Sequence, residues 1–373
     1  MAIDERTTKI LALWLIPGLG PRKIALLVNF FGDINQVFEA SIQQLIKVDG
    51  INHQIANEIK TILTSKQLQQ ELSLIEKNQL NILGIQSDQY STALKEIYSP
   101  PPVLYQKGSI DYQKGLFIGI VGSRKASFAG KSFCKKLIQQ LASYRNDIVV
   151  VSGLALGIDT IAHQTALENN LKTIAVLAGG LSDIYPAKNR NLASQIVEKG
   201  AIITEFPVST KPVAQNFPLR NRIISGVSSG IIVIEAGDKS GALITANYAI
   251  EQNRELFAVP GPVDSSFFVG TNRLIQKGHA KLIMDAADIL EELDTSFKRS
   301  NKTAKAQTSK LIEYLTEEES LVIDRLKTGE LTQNKLSEEL KIPINILLGI
   351  LTALELKGMI TIKSGSVVQL LQF

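Results

Sequence analysis

The sequence predicts an α/β fold: a parallel sheet covered by helices on both faces, between a helical head and a helix-turn-helix tail. Three observations predict it. From about residue 80 to residue 292, short runs that are apolar on both faces alternate with helical patterns, the signature of parallel strands buried on both sides. Before residue 80 only the helical period is present. After residue 310 three helical segments precede a short strand pair, an order expected of a winged helix.

In the head, residues 1–79, Ile10–Ile16 and Ile24–Phe31 flank the tight turn Pro17-Gly18-Leu19-Gly20. A weaker copy follows: Leu45–Val48, the turn Asp49-Gly50-Ile51-Asn52, then Ile55–Leu63. Asn52 stands where the first turn has Gly20, and asparagine tolerates the left-handed backbone. Apolar-Gly-apolar-Gly between short helices resembles a helix-hairpin-helix (SAM-like) unit, whose turn amides hold a DNA phosphate without reading sequence. Two readings stand for this head. It is a packing domain, or it makes a secondary DNA contact through Gly18, Gly20, Arg22 and Lys23.

The central segment, residues 80–295, opens with a short strand at Asn81–Ile85 and a rigid connector at Pro100–Pro102. The further strands are Leu116–Val121, Ile148–Val151, Thr173–Leu177, Ala201–Thr204, Ile231–Glu235 and Leu256–Val259. Residues 296–310 carry 5 basic and no acidic side chains and read as a flexible linker. In the tail, residues 311–373, helices at Glu318–Leu326, Gln333–Leu340 and Ile344–Lys357 lead to a strand pair around Ser364-Gly365-Ser366.

Composition narrows the function. With 373 residues, 45% of them hydrophobic, the chain can build two or three cored domains. Its single cysteine, Cys134, excludes a disulfide framework and a cysteine-based zinc site, and its helical context reads as a buried inert thiol. The first residues are charged at once and no apolar run approaches the roughly 20 residues of a membrane span. A cytoplasmic protein without a membrane partner is expected. The net charge is only +4, so a polyanion would be held by local clusters and not by a global field.

Those clusters sit where strands end. Leu116–Val121 runs into Gly122-Ser123-Arg124-Lys125 and then a helix. At such a junction glycine lets backbone N–H groups approach a ligand, the helix start adds partial positive charge, and arginine fits a phosphate. Four other loops join it: Ser152-Gly153 to Asp159, Ala178-Gly179-Gly180 with Tyr185 to Arg190, Phe217 to Arg222, and Glu235 to Thr245. Together they offer Lys188, Asn189, Arg190, Arg220, Asn221, Arg222, Lys239, Ser240 and Gly241 beside the first loop. Phe128, Tyr185 and Phe217 lie in or beside these loops, as stacking platforms or as packing beneath them. The first loop is neither a dinucleotide fingerprint nor a P-loop, so no cofactor is expected.

Catalytic groups are sparse. Asp159 and His163, four apart, share a helix face without a matching nucleophile. His53 and His279 are isolated, and no cluster has metal-ligand spacing. Glu205 and Glu235 are either general bases or anchors for arginines such as Arg220 and Arg222.

Four strings in this order resemble the DprA/Smf family of bacterial DNA-processing proteins: Gly122-Ser-Arg; Ser152-Gly-Leu-Ala-Leu-Gly-Ile-Asp-Thr-Ile-Ala-His163; Phe217-Pro-Leu-Arg-Asn-Arg-Ile-Ile224; and Val259-Pro-Gly-Pro262. The resemblance spans residues 80–290. It implies an extended Rossmann-like core that binds single-stranded DNA in a basic pocket, forms homodimers and hands the strand to the RecA recombinase in natural transformation, with no catalytic activity. Ser123 and Arg124 would then hold phosphate, as would the basic residues after Tyr185-Pro186. Where some members carry lysine in that loop this chain has Ala187, with Lys188 next to it. The rival is a Rossmann-like nucleoside-monophosphate hydrolase, whose Pro-Gly-Gly-x-Gly-Thr loop is missing from Glu235–Thr245. A transcription regulator is the third reading. Its recognition helix would be Ile344–Lys357, with Glu355 and a single terminal lysine, a poor set for reading base edges.

Overall fold

The computed structural model describes residues 3–297, 316–327, 329–356, 359–363 and 366–370. These fall into two compact units, one ending at Phe297 and one beginning at Thr316. Residues 298–310 of the expected linker, and Ser364 and Gly365 of the expected strand pair, lie outside the described residues.

The first unit opens with six helices, α1 (Glu5–Trp14), α2 (Pro21–Phe31), α3 (Ile34–Glu39), α4 (Ile42–Leu45), α5 (His53–Thr61) and α6 (Lys66–Lys77). The two expected turns repeat the same geometry. Leu19 N–H donates to Ile16 C=O and Ile51 N–H to Val48 C=O, each at 3.1 Å, and Gly18 and Gly50 have φ of 78° and 77°. The second turn corrects one expectation. Asn52 does not use the left-handed region: its φ is −93°, and its side chain caps α5 by accepting from Ile55 N–H at 2.9 Å. Gly20 occupies the N-cap position of α2, also in an extended conformation.

The sheet has nine strands: β1 (Asn81–Gly84), β2 (Val103–Gly108), β3 (Leu116–Val121), β4 (Ile148–Ser152), β5 (Lys172–Val176), β6 (Ala201–Thr204), β7 (Gly230–Val233), β8 (Glu255–Ala258) and β9 (Lys281–Leu282). Their order is β1-β2-β6-β5-β4-β3-β7-β8-β9. From β6 to β9 every pair is parallel, while β1 and β2 add an antiparallel edge. The chain winds outward from β3 through β4, β5 and β6, then returns to place β7 on the other side of β3. The order reverses there, and a crevice opens beyond the carboxyl ends of β3 and β7.

Alternating side chains feed two cores. Phe117, Val121, Val149 and Val151 pack with α11 (Asn216–Val227) and α12 (Ala242–Glu251) on one face. Ile118, Ile120, Ile148 and Val150 pack with α8 (Phe128–Tyr144), α9 (Ile158–Glu168) and α14 (Ala286–Leu293) on the other. Cys134 lies fully buried in that second core, and burial pushes its thiol well above the usual range. The remaining helices are α7 (Thr92–Lys95), α10 (Arg190–Lys199) and α13 (Val269–Gln276).

The second unit contains α15 (Glu317–Leu326), α16 (Gln333–Leu340), α17 (Ile344–Leu356) and a small antiparallel sheet of β10 (Leu331–Thr332), β11 (Ile360–Lys363) and β12 (Val367–Leu370). Leu336, Leu347, Leu351 and Val368 form its core. Among the described residues, no helix is long and apolar enough to cross a membrane.

The head is built into the first unit. One apolar cluster runs from Leu11, Leu13 and Leu27 through Ile59 to Ala175, Ile202 and Ile196. Trp14 Nε1 donates to the Glu205 carbonyl at 2.7 Å, and the Glu71 carboxylate accepts from Val208 N–H at 2.8 Å. A chain ending at Phe297 is therefore expected to unfold in urea in one transition. Emission from Trp14, the single tryptophan, and far-UV circular dichroism should report the same midpoint. An earlier transition seen by Trp14 alone would make the head a separate folding unit.

Candidate nucleic-acid interface

The loop after β3 is held from two sides. Ser123 N–H donates to the Glu235 carbonyl at 2.8 Å, beyond the end of β7. The Glu235 carboxylate accepts from Ser127 N–H at 3.1 Å and from Ser127 Oγ at 2.5 Å, and Ser127 Oγ in turn caps α8 by accepting from Gly130 N–H at 3.0 Å. From the other side, Ile158 N–H donates to the Ser123 carbonyl at 3.2 Å. Gly157 makes that approach possible: its φ is 82°, and a Cβ there would lie 2.2 Å from the Ser123 oxygen. Glu235 is thus a structural anchor, fully buried and committed to this loop.

Arg124 projects from the anchored loop over the ring of Phe217, with 5.1 Å from its guanidinium carbon to the ring centroid. Tyr185 meets Phe217 edge to face at 6.0 Å. These side chains line a groove of about 900 Å³ at the crevice between β3 and β7, together with Ser123, Lys125, Lys239 and Ser240. Gly122 and Gly241 also line it. Among the described residues, Arg124, Lys125 and Lys239 have no carboxylate partner. Asp238, beside Lys239, is taken by Arg273.

Arg220 forms the floor and is only 4% exposed. Its guanidinium donates to the Gly153 carbonyl at 2.7 Å and to the Val176 carbonyl, and Nε donates to Asn221 Oδ1 at 3.1 Å. Gly153 leaves the room: a Cβ there would lie 2.6 Å from the guanidinium. Burial pushes the Arg220 guanidinium down to about 10, Asp159 opposes that shift, and Arg124 adds to it. At neutral pH the floor remains a cation.

Asp159 and His163 divide on the face they share. The Asp159 carboxylate accepts from the N–H groups of Gly153 and Ala155, at 3.1 and 3.3 Å, closing the loop after β4. His163 Nδ1 lies 2.7 Å from Thr173 Oγ1, whose own proton goes to the Val150 carbonyl. His163 Nδ1 is therefore the donor. Burial, reinforced by Arg220, holds this imidazole down to about 3, so it stays neutral. Neither side chain is arranged for acid–base work.

Of the other site residues read from the sequence, Arg222 is moved furthest. It points away from the groove and forms a buried pair with Glu205 at 2.6 Å, with 10% and 3% of the two side chains exposed. Asn221 stays at the groove, its amide on the Gly241 carbonyl at 3.4 Å. Asn189 is buried and donates to the Leu154 carbonyl and to Thr160 Oγ1, both at 2.9 Å, tying two loops together. Lys188 is exposed but does not line the groove, and Arg190 is paired with Asp183 at 2.6 Å. In the head, Arg22 is exposed, whereas Lys23 Nζ donates to the Gly18 carbonyl at 3.0 Å and so braces its own turn. The Arg124 stack on Phe217 was not legible in the sequence, because 93 positions separate the two residues.

The family model for DNA recombination-mediator protein A matches residues 81–294. DNA processing protein DprA of Bacillus subtilis is 43% identical over 240 residues, which are 64% of this chain and 79% of that protein. Protein Smf of Synechocystis is 38% identical over 293 residues, 76% of this chain and 72% of that one. The X-ray structure of DNA processing protein A from Streptococcus pneumoniae aligns with a TM-score of 0.69 at 34% identity, covering 80% of this chain and 100% of that one. A structure of the Helicobacter pylori protein, described for its single-stranded DNA binding mode, aligns at 0.53 and 30% identity, over 59% of this chain and 98% of that one.

The buried and the open arginines are expected to respond differently to substitution. Arg222→Met strands the Glu205 carboxylate and should cost about 3–5 kcal/mol of stability, whereas Arg124→Ala should leave the urea midpoint within error. Equal destabilisation by the two would mean that Arg124 is also part of the scaffold.

Proposed function

The chain belongs to the family of DNA recombination-mediator protein A, and from that membership we propose that it binds single-stranded DNA in the groove at the carboxyl ends of β3 and β7. One observation carries the reading: the Arg124 guanidinium lies over Phe217 with no carboxylate among the described residues to satisfy it. Held over the ring, its N–H groups are available to a phosphate. Lys125 and Lys239 stand ready for neighbouring phosphates. The groove offers open cations and aromatic rings, which suit phosphates and base faces of any sequence, so binding should depend little on sequence. The strand-binding mode described for the Helicobacter pylori relative supports the same reading.

We propose a binding protein rather than an enzyme, acting in the cytoplasm. Glu205, Glu235, Asp159 and His163, the candidate acids and bases, are each engaged in holding loops, a buried cation or the core. The family description, a recombination mediator, supports a handover of the bound strand to RecA. A homodimer would suit that task by doubling the length of strand under control. Its contact is proposed at the edge strand β9, where Leu282 and Met284 are 41% and 70% exposed on either side of the buried Ile283.

Binding to a labelled thymidylate oligomer should weaken steeply as salt rises. Arg124→Ala should cost about 1.5–3 kcal/mol of affinity, while a chain ending at Phe297 should keep most of it. Unchanged binding by a folded Arg124→Ala variant would refute the groove. Release of free base from a nucleoside monophosphate, lost in Glu235→Gln, would instead favour a hydrolase.

In sedimentation the chain should be a dimer and Met284→Glu a monomer. RecA filaments should form faster on strands coated with single-strand-binding protein when the chain is present, and Arg124→Ala should abolish that gain. A monomeric wild type, or slower filament formation, would contradict the loading dimer.

A further inference from the structure

We propose that Phe128 and Lys131, on the outward face of α8, form an outer subsite for single-stranded DNA. Phe128 would stack a base, and Lys131 would hold the adjoining phosphate of a strand leaving the groove. The proposal rests on the groove being a single-strand site.

Of the three aromatic residues beside the basic loops, Tyr185 and Phe217 are already in contact with each other, and Phe217 also carries Arg124. Phe128 is 88% exposed and makes no ring contact among the described residues. Its exposure is not the result of a loose loop. It is the first residue of α8, directly after Ser127, whose hydroxyl is fixed 2.5 Å from the buried Glu235 carboxylate. The anchor that sets the Arg124 loop therefore also sets the position of this ring. Only three residues separate Arg124 from Phe128, so a strand gripped by the loop passes close to α8.

Lys131 lies one helical turn further on, at i+3 from Phe128, and so shares its face. It is exposed and has no carboxylate partner among the described residues. Lys135, at i+7 from Phe128, is paired with Glu168 at 3.4 Å. A rigid apolar ring between free cations is suited to a single strand, because every base has a face to stack and every linkage carries a charge. A duplex hides its base faces and gains nothing from the ring.

The test is fluorescence anisotropy with the full chain and two labelled strands of about 16 nucleotides, one of thymidylate and one an abasic backbone of equal length. Phe128→Ala should weaken thymidylate binding about tenfold, leave abasic binding unchanged, and be rescued by Phe128→Trp. Lys131→Ala should weaken both strands. If Phe128→Ala binds thymidylate like wild type while Arg124→Ala does not, the outer subsite is wrong and the groove stands. Equal loss on both strands would show that the ring does not stack. If Arg124→Ala also binds like wild type, the groove fails and the subsite with it.

Discussion

The guanidinium of Arg220 ties the binding edge of this protein together. It is buried beneath the groove, where an unsatisfied charge would cost several kcal/mol. Two main-chain carbonyls, one from the loop after β4 and one from the end of β5, absorb its donors, with Asn221 alongside. Asp159 lies within electrostatic reach and closes the β4 loop through two amides. Gly153 provides the space. A cation has thus been paired with carbonyl oxygens that would otherwise make this edge repel an anion. The loops above can therefore present open cations, Arg124 foremost, over a floor that does not repel phosphate.

The arrangement sorts the basic residues by task. Arg222 and Arg220 are internal: one balances Glu205 and the other organises strand ends. Arg190 and Arg273 are neutralised at the surface by Asp183 and Asp238, pairs worth little in stability but enough to blunt their pull on an anion. Arg124, Lys125 and Lys239 have no carboxylate partner among the described residues, and they line one groove. Local placement rather than net charge makes the receptor, which is how a chain with only +4 overall can grip a polyanion.

Much of this was legible in the sequence, and the rest was hidden for physical reasons. The parallel strands could be read because burial on both faces leaves continuous apolar runs: Leu116–Val121 and Ala201–Thr204 have the expected bounds. β2 was missed because it follows three prolines and ends in Gln106-Lys107-Gly108, and β9 because it is two residues long. In the head, α3 and α6 were missed beside the two glycine turns that drew attention. The loop glycines and Arg124 could be read, since close backbone approach demands glycine. Arg222 could not be placed. It is two residues from Arg220 on one helix, and that spacing turns the side chain to a different side. Nor could the anchoring of Ser127 by Glu235 be read, because it joins residues 108 positions apart.

The most direct test of the account is photochemical cross-linking of a halogenated-uracil single strand to the full chain, followed by mass spectrometry of the linked peptides. The account predicts cross-links to peptides containing Phe217, Tyr185 and the Gly122–Lys125 loop, competed away by unlabelled single strand. Cross-links confined to the helical head or to residues beyond Thr316, with none at the groove, would contradict it.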